Sequence, residues 1–205
     1  MIAKNLISEE IPPIKTSESG LEALNWMTFF KVSHLPIVNN KEFLGLISEN
    51  DIYDLNNPEE AIGNHKLSLY KAYVFPTQHI YEVLEVASRL KLSVIPVIDE
   101  NSKYLGIIKL IELMHEFAKV SAIEKPGGII VIEVHVNDYS VSEISQIIES
   151  NDARILSLYI NTIPDSVRME VNIKVNVSDL TSIIQTFNRF EYEVKASYLE
   201  VDQQD

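Results

Sequence analysis

The heptapeptide Gly45–Asp51 combines three residue types whose spacing suits the binding of a polar ligand. Gly45 has no side chain, so a flat group can approach its backbone closely. Ser48 places a hydroxyl at the start of a predicted helix, where free N–H groups and the helix dipole favour phosphate. Asp51 lies one turn further on the same face, and its carboxylate can accept hydrogen bonds from two hydroxyl groups. Plain helix capping by Ser48 and Asp51 is the alternative.

A second heptapeptide, Gly106–Glu112, repeats this pattern with two changes. Lys109 stands in place of the serine, and Glu112 stands in place of the aspartate. The ammonium group of a lysine can still meet a phosphate, but the longer glutamate places its carboxylate differently. We therefore expect one good site at Gly45–Asp51 and a degenerate second site at Gly106, Lys109 and Glu112.

Both heptapeptides belong to an internal repeat of about 60 residues, a period typical of repeat architectures. Residues 31–38 (KVSHLPIV) match residues 91–98 (KLSVIPVI) at an offset of 60. Residues 43–48 (FLGLIS) match residues 104–109 (YLGIIK) at an offset of 61. The one-residue difference falls in a polar turn, where a hairpin loop absorbs a length change at little cost.

The two copies predict the same order of elements around their hairpins. An opening strand and a helix precede each hairpin, and a second helix follows it. For the first and second copy these elements are opening strands 11–15 and 72–75, first helices 21–30 and 83–90, and closing helices 49–55 and 110–119. One copy is too small to bury its own sheet face, so we expect the copies to pack about a pseudo-twofold axis with a cleft between them.

The pattern changes at the sequence IEKPGG, where proline and paired glycines predict a hinge. Beyond it, strands and helices follow the order βαββαβ, which is typical of a ferredoxin-like sandwich. These elements are strand 128–136, helix 141–150, strands 153–161 and 167–175, helix 178–187 and strand 192–201. The sequence thus predicts an α/β (α+β) protein with repeat copies 1–60 and 61–122, a hinge at 123–127 and a further domain at 128–205.

The repeat resembles the CBS domain family. Gly45–Asp51 fits the family pattern Gly-x-hydrophobic-Ser/Thr-x-x-Asp, which ends the second hairpin strand and starts the last helix of the domain. The resemblance implies an adenine nucleotide between the copies, with its base against the segment that opens the other copy and its phosphate region near Ser33 and His34. The implied ligand-binding residues are Gly45, Leu46, Ser48, Asp51, His34, Lys71, Ala72 and Tyr73.

Residues 128–202 resemble an ACT domain in topology and pattern. The first loop of that family typically carries Asp-x-Pro-Gly and closes around an amino acid. The corresponding loop here, Asn137–Val141, keeps the aspartate and lacks the proline and glycine. We therefore expect no amino-acid binding. Two CBS repeats followed by an ACT-like domain are similar to small bacterial proteins named for acetoin utilisation.

These resemblances imply a non-catalytic regulatory protein. AMP, ADP or ATP is the expected regulatory ligand, and its binding is expected to change the angle between the repeats or the packing of a dimer. The alternative is a structural or protein-interaction module that dimerises without a small-molecule ligand. A homodimer is expected in both cases, and the aromatic residues Trp26, Phe29 and Phe30 at helical spacing are candidates for its contact or for the core.

Composition argues against several other classes. The net charge of −13 disfavours nucleic acid and anionic membrane surfaces as partners. The absence of cysteine removes thiolate nucleophiles and cysteine zinc sites, and the five histidines lack metal-ligand spacing. No catalytic motif is present, no apolar run approaches the length of a membrane span, and the N-terminus lacks the apolar stretch of a signal peptide. We therefore expect a cytoplasmic protein with no metal and no enzymatic activity.

Overall fold

The computed structural model describes residues 1–65 and 71–199. The chain divides into two compact units, Met1–Phe117 and Ala118–Asp205. The first unit contains both copies of the repeat, each built as a hairpin between two helices. These elements are α1 (Gly20–Phe30), β1 (His34–Asn39), β2 (Glu42–Ser48), α2 (Glu49–Tyr53), α3 (Ile80–Leu90), β3 (Val94–Ile98), β4 (Tyr104–Lys109) and α4 (Leu110–Val120).

The two hairpins share the same irregularity. β1 pairs antiparallel with β2, and the register shifts between Ile37 and Val38. β3 pairs antiparallel with β4, and the register shifts between Val97 and Ile98. These positions are related by the offset of 60 found in the sequence. The internal repeat is therefore a repeat of backbone geometry as well as of residue types.

The first helix of each copy also begins and ends in the same way. Ser19 Oγ accepts a hydrogen bond from the backbone N–H of Glu22 (3.2 Å), and His79 is the corresponding N-cap of α3. Both helices end at a lysine in the left-handed conformation, Lys31 with φ 55° and Lys91 with φ 52°. A left-handed residue after the last turn donates its N–H to carbonyls that the helix leaves free, so both helices end with the same cap geometry.

The strands expected to open the two copies are not present as strands, and that prediction was wrong. Only one residue of each segment pairs with the sheet: Ile14 forms a parallel bridge with Ile37, and Val74 forms one with Val97. The reason lies in the neighbouring strand, where Pro36 and Pro96 have no N–H to donate. Their carbonyls accept from Ile14 and Val74, and the ladder extends no further.

The hairpins of the two copies meet at their turns and bury a common core. The N–H of Phe43 donates to the carbonyl of Ser102 (3.2 Å), and the N–H of Tyr104 donates to the carbonyl of Lys41 (2.8 Å). This reciprocal exchange fits packing about a pseudo-twofold axis. Fully buried apolar side chains from both copies form one cluster, which includes Ile14, Met27, Leu35, Ile47, Val74, Ile95 and Ile108.

The second unit is a sheet with two helices, in the order predicted from the sequence. Its elements are β5 (Ile129–His135), α5 (Val141–Glu149), β6 (Ile155–Thr162), β7 (Arg168–Val175), α6 (Thr181–Arg189) and β8 (Glu193–Tyr198). The strand order in the described residues is β6-β7-β5-β8, with every neighbouring pair antiparallel. This is the ferredoxin-like arrangement, and the predicted α+β fold class is confirmed.

The core of the second unit lies between the sheet and its helices. Ile130 and Ile132 alternate inward along β5, and Ile144 and Ile148 of α5 and Phe187 of α6 are buried in the same cluster. Both helices therefore cover one face of the sheet. The opposite face carries polar residues, as the strict alternation of β7 indicates.

One predicted helix start is displaced. The helix was expected to begin at residue 178, but α6 begins at Thr181 and its N-cap is Leu180, which makes no side-chain cap bond. Asp179, the residue before this N-cap, accepts a hydrogen bond at Oδ1 from the N–H of Thr181 (3.0 Å). Leu180 is buried against Gly128, where a Cβ would lie 2.7 Å from the leucine methyls. Apolar packing therefore sets the helix start in place of the local capping preference.

Candidate ligand site

The heptapeptide of the first copy lies at the junction of β2 and α2. Ser48 is the N-cap of α2, and its Oγ accepts from the N–H of Asp51 (3.2 Å). Asp51 Oδ2 in turn accepts from the N–H of Ser48 (2.8 Å) and from its hydroxyl (2.6 Å). The two side chains thus form a capping box. Among the described residues, these bonds engage Oδ2 and leave Oδ1 of Asp51 without a hydrogen-bond partner.

His34 lies beside this capping box. It is the antiparallel partner of Ser48 across the hairpin, so both side chains are on the same face of the sheet. Its Nδ1 lies 3.1 Å from Ser93 Oγ and 3.3 Å from Ser33 Oγ, and the backbone N–H of Ser93 donates to it (3.4 Å). An N–H donor at Nδ1 means that the neutral ring carries its proton on Nε2.

A pair of equivalent serines connects the two copies at this point. The backbone N–H of Ser33 donates to Ser93 Oγ (3.0 Å), and the two serines are 60 residues apart. The sequence pointed to Ser33 and missed Ser93, although the repeat offset identifies it directly. His34 therefore belongs to the contact between the copies as well as to the heptapeptide site.

The charge of His34 is set by opposing influences. Burial lowers the pKa of His34 below its ordinary value of 6.5, and the nearby carboxylates of Asp51 and Glu49 act in the opposite direction. Burial is the larger influence, because removing an imidazolium from water costs more than these two carboxylates return. At neutral pH the ring is therefore neutral, in agreement with the hydrogen bond that its Nδ1 accepts.

The contact of Lys71, Ala72 and Tyr73 with the base of a nucleotide stays a prediction. Lys71, Ala72 and Tyr73 line a cavity of about 240 Å³ against α3. No hydrogen bond or ring contact among the described residues joins them to the heptapeptide. Tyr73 reaches β2 through the ring of Phe43, with centroids 6.3 Å apart.

The second copy contains a pocket whose lining was predicted only in part, since Lys109 and Glu112 were expected there and the segment of residues 5–10 was not. This pocket of about 280 Å³ lies between β4, the start of α4 and the segment of residues 5–10. Residues Asn5, Leu6, Ile7, Ser8, Glu10, Lys109, Glu112 and Glu116 line it.

Ion pairs occupy the polar residues of this second pocket. Lys109 Nζ lies 2.7 Å from Glu10 Oε2 and 3.5 Å from Glu112 Oε1. The hydrogen bond to Glu10 is the main reason that the pKa of Lys109 is raised. The lysine that stands in place of the serine is therefore already paired within the protein. The histidine of the first copy also has no equivalent here, since the matching residue is the fully buried Val94.

Gly106 of the second heptapeptide has an evident structural role. Its φ is +138°, in a region that residues with a side chain rarely adopt. A Cβ at this position would lie 2.6 Å from Ile7 Cγ2 and 2.9 Å from the carbonyl oxygen of Ser8. Ser8 exchanges two backbone hydrogen bonds with Ile107. Because Gly106 has no side chain, the segment of residues 5–10 can approach the outer edge of β4 and pair with it.

The loop compared with an amino-acid site is built differently from the family pattern. Residues Val136–Asp138 form a 3₁₀ turn, and Ser140 Oγ caps α5 by accepting from the N–H of Glu143. Tyr139 packs against the core of the second unit. No residue from 136 to 140 adopts a positive φ, so this loop does not need the glycine that the family carries.

The part of the chain that the structure describes contains neither a metal-binding cluster nor a membrane-spanning helix. No group of three or more His, Cys, Asp or Glu side chains is arranged to hold a metal ion. No described helix has the length and apolar character required to cross a membrane.

Two like hairpin units joined through Ser33 and Ser93 define a tandem repeat of one small domain. The family model described as "CBS domain" matches residues 3–56 and 71–119, half of the chain. The protein belongs to the CBS domain family.

The similarity to a curated protein covers about half of this chain. A homoserine O-acetyltransferase of Methanococcus vannielii is 27% identical over 112 residues, which are 52% of this chain and 23% of that protein. The chain therefore spans less than a quarter of the length of this curated relative.

Among solved structures, a CBS domain pair/ACT domain protein from Thermotoga maritima has a TM-score of 0.52 and 21% identity, covering 58% of this chain and 98% of that chain. The protein CBSX2 in complex with AMP has a TM-score of 0.51 and 17% identity, covering 58% of this chain and 97% of that chain. A Methanocaldococcus jannaschii protein has a TM-score of 0.52 and 18% identity, covering 62% of each chain. At these identities the likeness concerns the fold.

Proposed function

We propose that this protein is a non-catalytic sensor that binds an adenine nucleotide at the heptapeptide of the first copy. The observation that carries the proposal is the convergence of His34, Ser48 and Asp51 on one face at the contact between the copies. CBSX2, which shares the fold, was solved in complex with AMP, and this supports the adenine nucleotide as the ligand class.

The proposed binding mode assigns each side chain a polar group of the nucleotide. The free Oδ1 of Asp51 accepts from a ribose hydroxyl, while Oδ2 keeps the capping box intact. The Nε2–H of His34 donates to a phosphate oxygen, and Nδ1 keeps its bonds to Ser93. Gly45, with φ +154°, and the buried Leu46 lie on the preceding strand and line the side of the base.

This arrangement also provides a route for the signal. His34 belongs to the first copy, and its ring is held by a serine of the second copy. A ligand that prefers one position of the ring therefore prefers one relative arrangement of the copies. Regulation requires such a difference in affinity between two states.

The second copy is proposed to be a degenerate site. Its lysine is paired with Glu10 and Glu112, and Glu116 lines the same pocket. A phosphate would have to separate the ion pair and approach three carboxylates, which is electrostatically unfavourable. We therefore assign nucleotide binding to the first copy alone.

The second unit is proposed to be an ACT-like domain that holds a homodimer. The order β6-β7-β5-β8 with both helices on one face supports this assignment. The complete arrangement is then similar to that of acetoin-utilisation-type CBS/ACT regulatory proteins. The acetyltransferase activity named for the Methanococcus relative is not proposed for this chain, which contains no catalytic motif and covers 23% of that protein.

A second candidate function is a dimerisation module without a small-molecule ligand. The capping box favours it, because Ser48 and Asp51 already satisfy each other. In that case the Ser–Asp spacing serves helix α2 alone, and the cleft between the copies has no nucleotide to bind.

Calorimetric titration with AMP, ADP, ATP and S-adenosylmethionine tests the proposal against this alternative. Asp51→Asn keeps a capping oxygen and removes the charge, so affinity should fall about tenfold or more, as expected from the loss of about 1.5–3 kcal/mol in charged hydrogen bonds. Glu112→Gln is the matched control in the second copy and should leave affinity nearly unchanged. Equal losses in both variants would show two equivalent sites, and no saturable heat with any ligand would favour the dimerisation module.

A further inference from the structure

A polar cavity lies at the two helices of the second unit. Its volume is about 460 Å³, and small-molecule pockets commonly have volumes of roughly 300–1,000 Å³. The end of α5 and one face of α6 line it, with Asn151, Ser182, Gln185, Thr186, Asn188 and Arg189. Among the described residues no carboxylate lines this cavity, whereas five line the cavity beside the first loop of the same unit. In a protein with a net charge of −13, this is a place that an anion can approach.

A buried threonine fixes the geometry of this cavity. Thr186 is 4% exposed, and it is the only polar side chain that is buried in the described part of the chain. Its Oγ1 donates to the carbonyl of Ser182 (2.9 Å) and accepts from Asn151 Nδ2 (3.2 Å) and from Arg189 Nη2 (3.0 Å). A hydroxyl can donate one hydrogen bond and accept two, so Thr186 is fully satisfied. It therefore holds the side chains of Asn151 and Arg189 next to each other.

The two side chains that Thr186 holds keep free hydrogen-bonding groups. Asn151 Nδ2 also donates to the carbonyl of Ile147 (2.7 Å). Because a carbonyl only accepts, Oδ1 is the amide atom that has no partner among the described residues. Arg189 is exposed, and no carboxylate pairs with it in the part of the chain that the structure describes. Its guanidinium has five N–H donors, and the bond to Thr186 uses one of them.

We propose that this cavity binds a small carboxylic acid that carries hydroxyl groups. The fork of N–H donors on Arg189 matches the two oxygens of a carboxylate. The amide oxygen of Asn151 accepts from a hydroxyl of the same ligand, and Gln185 and Asn188 supply further amide donors and acceptors. The cavity thus recognises the hydroxyls of the ligand as well as its charge.

The same chemistry disfavours two neighbouring classes of ligand. An amino acid brings an ammonium group, and no carboxylate among the described residues lines this cavity to receive it. A phosphate carries a larger negative charge than a carboxylate, and the only cation that lines the cavity in the described part of the chain is Arg189. The proposal does not depend on nucleotide binding, because the cavity lies in the second unit and the heptapeptide of the first copy lies in the first.

Calorimetric titration of the full chain with gluconate, sorbitol and inorganic phosphate tests this assignment. Gluconate has one carboxylate and several hydroxyls, and sorbitol is the same carbon chain without the carboxylate. Gluconate should give saturable heat, and sorbitol should give none. Arg189→Gln should weaken gluconate binding about tenfold or more, because it removes charged hydrogen bonds. Arg189→Lys should recover little of this loss, because an ammonium group lacks the planar fork.

Arg154→Gln is the matched control. Arg154 is also an exposed arginine of the second unit, but it does not line the cavity, so its loss should leave the affinity for gluconate nearly unchanged. The proposal is overturned by an absence of saturable heat with gluconate, by equal losses in the two glutamine variants, or by binding of sorbitol or inorganic phosphate that is as tight as that of gluconate. Because this titration contains no nucleotide, its failure is distinguishable from a failure of nucleotide binding.

Discussion

Substitution of Gly106 by alanine tests whether the second heptapeptide serves the fold. Its φ of +138° costs a residue with a Cβ about 1–3 kcal/mol. The added carbon would also lie 2.9 Å from the carbonyl oxygen of Ser8, a backbone atom that cannot rotate away. Relief of such overlap costs about 1–3 kcal/mol more. Together these effects predict a loss of about 2–6 kcal/mol, a large part of the roughly 5–15 kcal/mol typical of a folded domain.

Denaturant unfolding followed by tryptophan fluorescence measures this loss in the first unit. Trp26 is the only tryptophan of the chain and lies in α1, so its emission reports on the repeat and not on the second unit. The stability is obtained from the unfolding midpoint and slope. Gly106→Ala should lower the midpoint without a change of slope, provided that the segment of residues 5–10 stays folded.

Gly63→Ala is the matched control for this measurement. A Cβ at Gly63 would lie 3.1 Å from Thr16, and the φ of Gly63 is outside the positive region, so the expected loss is only about 1 kcal/mol. If Gly106→Ala is no more damaging than Gly63→Ala, the backbone strain and the contact with Ser8 do not constrain the second copy. The glycine would then have to be explained by a ligand.

Two further predictions concern pH and amino acids. His34 binds a proton more readily in the unfolded chain than in the folded protein, where burial lowers its pKa, so the contribution of His34 to stability should be fully present above pH 6.5 and be lost as the pH falls through the lowered pKa. His34→Val, which copies Val94 of the second repeat, should remove this part of the pH dependence. Parallel curves of unfolding free energy against pH for the two proteins would contradict this expectation. Calorimetry of the full chain with free amino acids should give no saturable heat from the second unit, because carboxylates beside its first loop repel the carboxylate of an amino acid. The cavity at this loop is lined by Glu133, Asp138, Glu143, Glu191 and Glu193. Saturable binding that Asp138→Ala abolishes would refute this expectation.

The sequence predicted the elements that repeat or alternate, and it did so for physical reasons. A hairpin flanked by helices leaves a local pattern, and two matching copies of that pattern reinforce each other. The βαββαβ order of the second unit was predicted in the same way from alternating strands and amphipathic helices. The prediction of opening strands was wrong because the pairing of these segments depends on Pro36 and Pro96, which lie on other strands and have no N–H to donate.

The candidate ligand sites contain contacts that no local sequence pattern predicts. Ser48 and Asp51 were identified from their spacing, and His34 from the family resemblance. The partner of Lys109 is Glu10, 99 residues away, and no local pattern connects them. The position of β6 at the edge of its sheet was also not predictable, because the strand order does not follow from the local pattern of its residues.

The segment that crosses between the two copies affects the order in which the first unit can fold. The N–H groups of Ala3 and Lys4 donate to the carbonyls of Gln78 and Pro76, and Ser8 pairs with Ile107. These contacts close long loops, and loop closure of this kind slows folding. During synthesis the first copy leaves the ribosome well before β4, so its opening segment has no partner until the second copy has been made. We therefore expect the two copies to fold as one cooperative unit, and separation of the copies to leave the edge of β4 without the segment that pairs with it.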